Sequence, residues 1–265
     1  MSGKNEFSVE KFSFNRQMVA AASSVSRQNN TIHAMTKVDI TRPRQLMRSY
    51  KQRTGKSLSL TAYVVTCLAK VLSEHPHFNS FRKGRKLVVL NDVTVSVMIE
   101  RNLQGEPTPE PVAVQAAQTK SFLEIQQEIR EAQSNQDGRM GSLEGMTWIR
   151  FIPGALLRLF VRLASRNMTL AKKYGKVAVT AVGMFGEGGS WFIPLSSATT
   201  LITVGGISKK VVMNDGVPEE REYLCLTLSF NHDIVDGAPA ARFGKRLHEL
   251  IQGGELLPGL PAKKL

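Results

Sequence analysis

The stretch Leu224–Ile251, LCLTLSFNHDIVDGAPAARFGKRLHELI, switches abruptly from one hydrophobic period to another. Leu224, Leu226, Leu228 and Phe230 alternate with Cys225, Thr227 and Ser229, the period of two expected of a strand with one face in a core. Phe243, Leu247, Leu250 and Ile251 then fall on one helical stripe that stops at Gly253-Gly254. Any fold for this chain has to bury one face of that strand and one stripe of the helix that follows it. At the junction lies His232-Asp233-Ile234-Val235-Asp236-Gly237, a histidine at a strand end four residues before an Asp-Gly that opens a helix. Two readings are open from the residues alone. Asp236 suits a helix N-cap and Pro239 a first turn, which makes the segment purely structural, or His232 performs chemistry there.

The 265 residues suffice for a substantial core, and an apolar share of 42% with a charged share of 22% is that of an ordinary globular protein. With no internal repeat, low-complexity tract or linker, the reading is one domain over 1–265. Cys67 and Cys225 sit in a helix-like and a strand-like run, as small buried hydrophobes rather than a disulfide or metal pair. Met1–Arg27 is polar and broken by charges, so it does not read as a signal peptide and a cytoplasmic location is expected. The net charge of +13 admits nucleic-acid binding, attraction of a polyanionic small molecule such as coenzyme A, or a solvated basic surface. Charge alone does not separate these, but no Lys/Arg block, zinc-finger pattern or aromatic RNA-binding signature supports the first.

Taken in order, Phe14–Arg27 has helical spacing closed by Asn29-Asn30, and Ala34–Ile40 alternates as a strand ending at Thr41, a fair N-cap for a helix near Pro43–Tyr50. Leu60–Leu72 carries a broad apolar helical face ended by His75-Pro76. Lys86–Leu90 and Val93–Ile99 read as two strands of one hairpin across Asn91-Asp92, followed by a loop, Arg101–Pro111, with three prolines. Thr119–Ala132 returns to helix. Trp148–Leu170 is the most apolar stretch, but Arg150, Arg158, Arg162 and Arg166 interrupt it, so it does not span a membrane. Arg158, Arg162 and Arg166, four apart, share one side of a helix whose other side carries Leu156, Leu159, Phe160 and Leu163; covering the core of its own domain or meeting a neighbouring subunit is preferred to membrane contact. Val177–Val182 reads as a strand leading into a glycine-rich turn that lacks the Lys-Ser/Thr of a phosphate loop. Leu201–Val204 and Lys209–Val212 read as further strands, with a turn at Asn214-Asp215-Gly216.

His232-x-x-x-Asp236-Gly237, preceded by Leu-Ser-Phe and followed by Ala-x-Ala-Ala-Arg-Phe, resembles the active-site signature of the dihydrolipoamide acyltransferases, the catalytic cores of the 2-oxoacid dehydrogenase complexes. Val177-Ala-Val-Thr-Ala-Val-Gly-Met-Phe-Gly186 resembles that family's Thr-Ile-Ser-Asn-Leu-Gly-Met-Phe-Gly segment. Thr31-Ile-His, Val38-Asp-Ile-Thr41 and His75-Pro-x-x-Asn79 resemble its early strand and its His-Pro-x-x-Asn turn. The resemblance runs over nearly the whole chain in order, and it implies an α+β fold like that of chloramphenicol acetyltransferase, a two-layer mixed β-sheet with helices packed on it.

The resemblance also implies roles. Acyl transfer between thiols needs a base, because with a thiol pKa near ~8.5 only a few per cent is thiolate at neutral pH. His232 takes that role; Thr180, standing where the family has serine, donates to the oxyanion; Asp236 holds the geometry through an ion pair, with Arg16 a candidate partner. The substrates implied are coenzyme A or acyl-CoA and dihydrolipoamide, with no metal. A homotrimer or larger assembly is implied too; since neither a lipoyl nor a subunit-binding domain is read in this sequence, either a separate carrier protein supplies the lipoyl group or the acceptor is something else. Departures are Asn231 where many relatives carry Asp, Asp233 where they carry Arg, and the proline-rich 105–111 where they carry Gly-Leu-Val-Val-Pro-Val. The same fold acting on a hydroxyl acceptor, or kept only as a scaffold, are the alternatives.

Overall fold

Strand-like and helix-like periods alternate along this chain, and in the computed structural model, which describes residues 7–103, 106–134, 154–165, 167–183 and 188–258, they become two layers. The strands are β1 (Thr31–Asp39), β2 (Ser80–Lys83), β3 (Lys86–Val89), β4 (Val95–Leu103), β5 (Glu106–Val114), β6 (Val177–Ala181), β7 (Thr200–Asn214) and β8 (Val217–Asn231). The helices are α1 (Phe14–Ser26), α2 (Thr41–Thr54), α3 (Leu60–Glu74), α4 (Phe122–Ser134), α5 (Gly154–Ser165), α6 (Met168–Tyr174) and α7 (Gly237–Gly253). Six strands form one mixed sheet in the order β1-β8-β7-β6-β4-β5, and β2 with β3 forms a separate hairpin. β6 runs parallel to both β4 and β7, and the other pairings are antiparallel.

The alternation in β8 does what its period requires. Leu224, Leu226, Leu228 and Phe230 face a core shared with Ile202 and Val204 of β7 and Val177 and Val179 of β6, all buried. α3, α4 and α7 close that core from one side; Ser59 caps α3 by accepting from the Ala62 N–H, and Tyr63, wholly buried, donates its hydroxyl to the carbonyls of Leu250 and Ile251. That bond fastens α7 to α3. The opposite face of the sheet carries Thr180, Thr203 and Thr227 in one row, because Thr180 pairs with Thr203 and Thr203 with Thr227.

Four local expectations are corrected. Lys86–Val89 pairs with Ser80–Lys83, not with the strand after Asn91-Asp92, because Gly84, at φ +61°, supplies a tight turn and Asn79 holds the carbonyls of Leu90 and Asp92 apart from any hairpin. Glu106–Val114 is a strand rather than a loop: Pro107, Pro109 and Pro111 share one parity, which keeps all three missing N–H groups off the ladder on the outermost strand. The two short strands 201–204 and 209–212 are one long β7, with a bulge at Gly205-Gly206. A Cβ on Gly205 would collide with the Ser190 carbonyl and one on Gly183 with the Gly205 carbonyl, so these glycines permit backbone to cross backbone. Thr41 begins α2 instead of capping it; its hydroxyl accepts from the Glu222 N–H.

A fifth correction concerns α5. Leu157 is buried against Ala21 of α1, with Phe14, Met18, Phe160 and Val161 packed around them. Leu156, Leu159 and Leu163 point away from the protein at 55%, 50% and 62% exposure. The leucine side thus does not cover the core; a helix apolar on nearly all sides needs only one stripe to pack on α1. Lys176 ties this layer to the body, donating to the Ser165 carbonyl at 2.6 Å beneath the Phe81 ring, and burial pushes its ammonium down from the usual lysine value.

Candidate active site

β8 ends in a turn wound around Asn231. The Asn231 N–H donates to the Thr199 carbonyl at 2.9 Å, and its own carbonyl accepts from the N–H groups of Ile234 (3.1 Å) and Val235 (3.0 Å). Its side-chain Oδ1 accepts from the Asp233 N–H at 3.0 Å, an Asx-turn that any short side chain with a carbonyl oxygen can make. Asn231 therefore makes this turn with its own side chain. Buried Val235 pins the far side of the turn to the core. Beneath it Phe78, Phe230 and Phe243 pack ring to ring, Phe78 and Phe243 stacked at 4.3 Å.

His232 is lifted out by this turn. Its N–H donates to the Asn30 carbonyl at 2.6 Å, and its imidazole is half exposed with Nδ1 3.7 Å from Oδ1 of Asp236. Asp236 occupies the N-cap position of α7, as its residue type suggests, but its carboxylate makes no capping hydrogen bond. The carboxylate faces the histidine instead. Among the described residues no ion pair joins Arg16 to Asp236, and exposed Arg16 only donates its backbone N–H to Ser13 Oγ. The Arg16 expectation is therefore not met within one chain.

Two residues that sequence reading missed hold the turn from outside. Asn30 Nδ2 donates to Asp233 Oδ1 at 2.9 Å, so one asparagine grips both His232 and its neighbour. Arg82 Nη1 donates to the other oxygen of Asp233 at 3.2 Å. An Asp at 233 is thus matched by a cation from β2, which restores a charge pair beside the histidine. The β2 end is itself fixed, since Thr199 and Thr200 hydroxyls donate to the carbonyls of Ser80 and Phe78. A cavity of about 330 Å³ opens on the other side of the turn, lined among others by His75, Ile234, Asp236 and Pro239.

Thr180 lies elsewhere. It is half-buried on β6, two strands from β8 and opposite Thr203, which is opposite Thr227, five residues before His232. Strand spacing and rise put Thr180 and His232 of one chain roughly 20 Å apart. A hydroxyl and an imidazole acting on one carbonyl must each approach it within about 3 Å. One subunit does not bring them together. Thr203 and Thr227 keep buried hydroxyls without a hydrogen-bond partner among the described residues. Met184–Glu187, the rest of the glycine-rich turn, lie outside the described residues. No group of three or more His, Cys, Asp or Glu able to hold a metal occurs among the described residues.

The chain is similar to known proteins over most of its length. Over 247 residues the chain is 25% identical to the dihydrolipoyllysine-residue acetyltransferase component of the acetoin cleaving system of Bacillus subtilis (strain 168), covering 89% of this chain and 53% of that protein. The chain spans about half the length of the curated relatives it matches. In fold it is similar to a probable dihydrolipoamide acetyltransferase from Listeria monocytogenes 4b F2365, with a TM-score of 0.69, 23% identity and 94% and 96% of the two chains covered. A chloramphenicol acetyltransferase matches at a TM-score of 0.50 and 13% identity, over 90% of this chain and 95% of its own. Residues 4–147 and 161–257 match the model for the 2-oxoacid dehydrogenases acyltransferase (catalytic domain). By that match, over far more than half of its length, the chain belongs to the acyltransferase catalytic-domain family of the 2-oxoacid dehydrogenases.

Proposed function

We propose that this chain is a catalytic domain that moves an acyl group between coenzyme A and the thiol of dihydrolipoamide, with His232 as general base. The observation that carries the reading is the pairing of His232 and Asp236: Nδ1 lies beside the carboxylate on a half-exposed ring, which leaves Nε2 as the nitrogen to take a proton. Nε2 removes the proton from the attacking S–H, and the sulfur adds to the thioester carbonyl carbon. The tetrahedral oxyanion then collapses, the old C–S bond breaks, and the leaving sulfur takes the proton back from the imidazolium. Asp236 stabilises that imidazolium without itself exchanging protons.

The oxyanion donor is Thr180, and the separation of Thr180 from His232 within a chain supports a site completed by a second copy. A homotrimer, in which the histidine of one subunit meets the threonine of the next, satisfies that need and agrees with the family resemblance. The 2-oxoacid dehydrogenase membership and the names of the relatives support coenzyme A and a lipoyl thiol as the substrates. The lipoyl group comes from a carrier, either a separate protein or another part of a longer chain.

The test is acyl transfer from a panel of acyl-CoA esters to dihydrolipoamide and to small hydroxyl acceptors. His232→Ala lowers kcat by at least ~10² with acyl-CoA affinity kept, and the acid limb of kcat/KM disappears. Thr180→Val loses roughly 10² as well. Mixing the two inactive variants restores part of the activity after subunit exchange. Near-normal turnover by His232→Ala, or a monomeric mass for an active wild type, overturns the reading; transfer to hydroxyls alone replaces the acceptor.

A further inference from the structure

α5 presents a surface with no use in the reaction above. Around its axis the buried stripe centres on Leu157, while the outward arc carries Arg158 and Arg162 beside Leu159, Leu163 and Leu156. A rail of two arginines thus lies alongside a rail of three exposed leucines. The surrounding sequence is one-sided in charge: between Glu144 and Glu187 there are seven Lys or Arg and no Asp or Glu. The family match omits residues 148–160, which include the first half of α5. Leu156, Arg158 and Leu159 of this face thus lie outside the family match, while Arg162 and Leu163 lie within it.

We propose that the outward face of α5 docks the protein on an anionic lipid surface, with the three leucines in the acyl boundary and the two arginines at the headgroups. Exposed leucines beside a strip of arginines match the layering of a bilayer interface, apolar below and anionic above. The negative surface potential of such a layer attracts each Lys or Arg near it. A second copy meets this face less well, because both partners bring arginines to one interface on chains that each already carry +13. The face is a convex helix whose exposed apolar residues are leucines, which are under-represented among protein-interface hot spots, and it carries no Trp or Tyr anchor. At twelve residues α5 lies on the surface, and among the described residues no helix is long and apolar enough to cross a membrane.

The test is flotation of the full chain with phosphatidylcholine vesicles containing or lacking about one-third phosphatidylglycerol, at low and moderate salt. The chain floats with the anionic vesicles and not the neutral ones, and binding falls as salt rises. Leu156→Ser with Leu163→Ser, at two exposed positions, lowers partitioning at least tenfold while circular dichroism, mass by light scattering and soluble acyl transfer stay those of the wild type. Arg158→Gln with Arg162→Gln flattens the salt dependence. No binding to anionic vesicles at low salt overturns the proposal. Binding unchanged by the leucine variant assigns it to general charge, and a smaller mass for that variant assigns the leucines to a subunit interface; either result also overturns it.

Discussion

Nδ1 of His232 and Oδ1 of Asp236 stand 3.7 Å apart across one turn of chain, and the Asp236 side chain is 83% exposed. A carboxylate so exposed, with no capping bond, holds little of the fold. Asp236→Asn therefore changes stability by no more than about 0.5 kcal/mol, as for an ordinary surface substitution. Loss of a carboxylate that orients and stabilises a catalytic imidazolium is costly, and kcat falls by about 10–10³-fold. Thermal melts and steady-state rates on the same preparation check this, and a parallel loss of both makes Asp236 structural.

Arg82 and Asp233 form a pair that is 63% and 35% exposed. Such pairs contribute roughly 0–1 kcal/mol to stability. Their effect is on the backbone of His232, because Asn30 holds His232 through its carbonyl and the adjacent Asp233 through its side-chain amide. Arg82→Ala and Asp233→Ala each lower kcat about tenfold, and the double variant is scarcely worse than either, because both remove one coupled interaction. Independent, multiplying losses would show that the two do not act together.

The His232–Asp236 pair was legible because it is local: four residues at a strand-to-helix switch bring the side chains together whatever the rest of the chain does. Asn30 and Arg82 were not, since their bonds to Asp233 span 203 and 151 residues and neither leaves a periodic trace. β8, α3 and α7 declared themselves through one-sided apolar periods. β5 did not, because its prolines argue for a loop unless it is known to be the edge strand. β7 looked like two strands because the glycines of its bulge are chosen by a crossing of backbones remote in sequence. The outward turn of α5 was hidden by its composition: a helix apolar on most sides does not say which stripe packs.

Burial pushes the Cys67 thiol up to about 12 and the Cys225 thiol above its ordinary value; both side chains are wholly enclosed. Only thiolate reacts with a disulfide reagent, so the folded protein is inert to one at neutral pH and yields two thiols in denaturant. With a hydroxyl acceptor, where each turnover releases one net thiol, free thiol then reports coenzyme A without a protein background; transfer to dihydrolipoamide conserves the thiol count and is read by product mass. Rapid modification of either cysteine in the native state contradicts this.

Glu222 of β8 is buried and accepts from Arg48 Nη1 at 2.8 Å and Arg44 Nε at 3.0 Å, which joins the middle of the sheet to α2. Burial pushes its carboxyl up, but the hydrogen bonds and charges of the two arginines outweigh that and hold it below the usual glutamate range. The sign follows. A carboxyl easier to ionise in the folded chain than in the unfolded one stabilises the fold fully above the ordinary glutamate pKa of about 4.3. That contribution is lost as pH falls below 4.3 and through the lower folded value. Glu222→Gln leaves both arginines without their anion, yet each is partly exposed and can be rehydrated, so the cost at neutral pH is about 1–3 kcal/mol. Urea unfolding of wild type and variant from pH 7 down to pH 3 gives curves that converge on acidification, because a protonated Glu222 offers the arginines little more than a glutamine does. A difference that stays constant with pH would mean that packing, not charge, holds Glu222 in place.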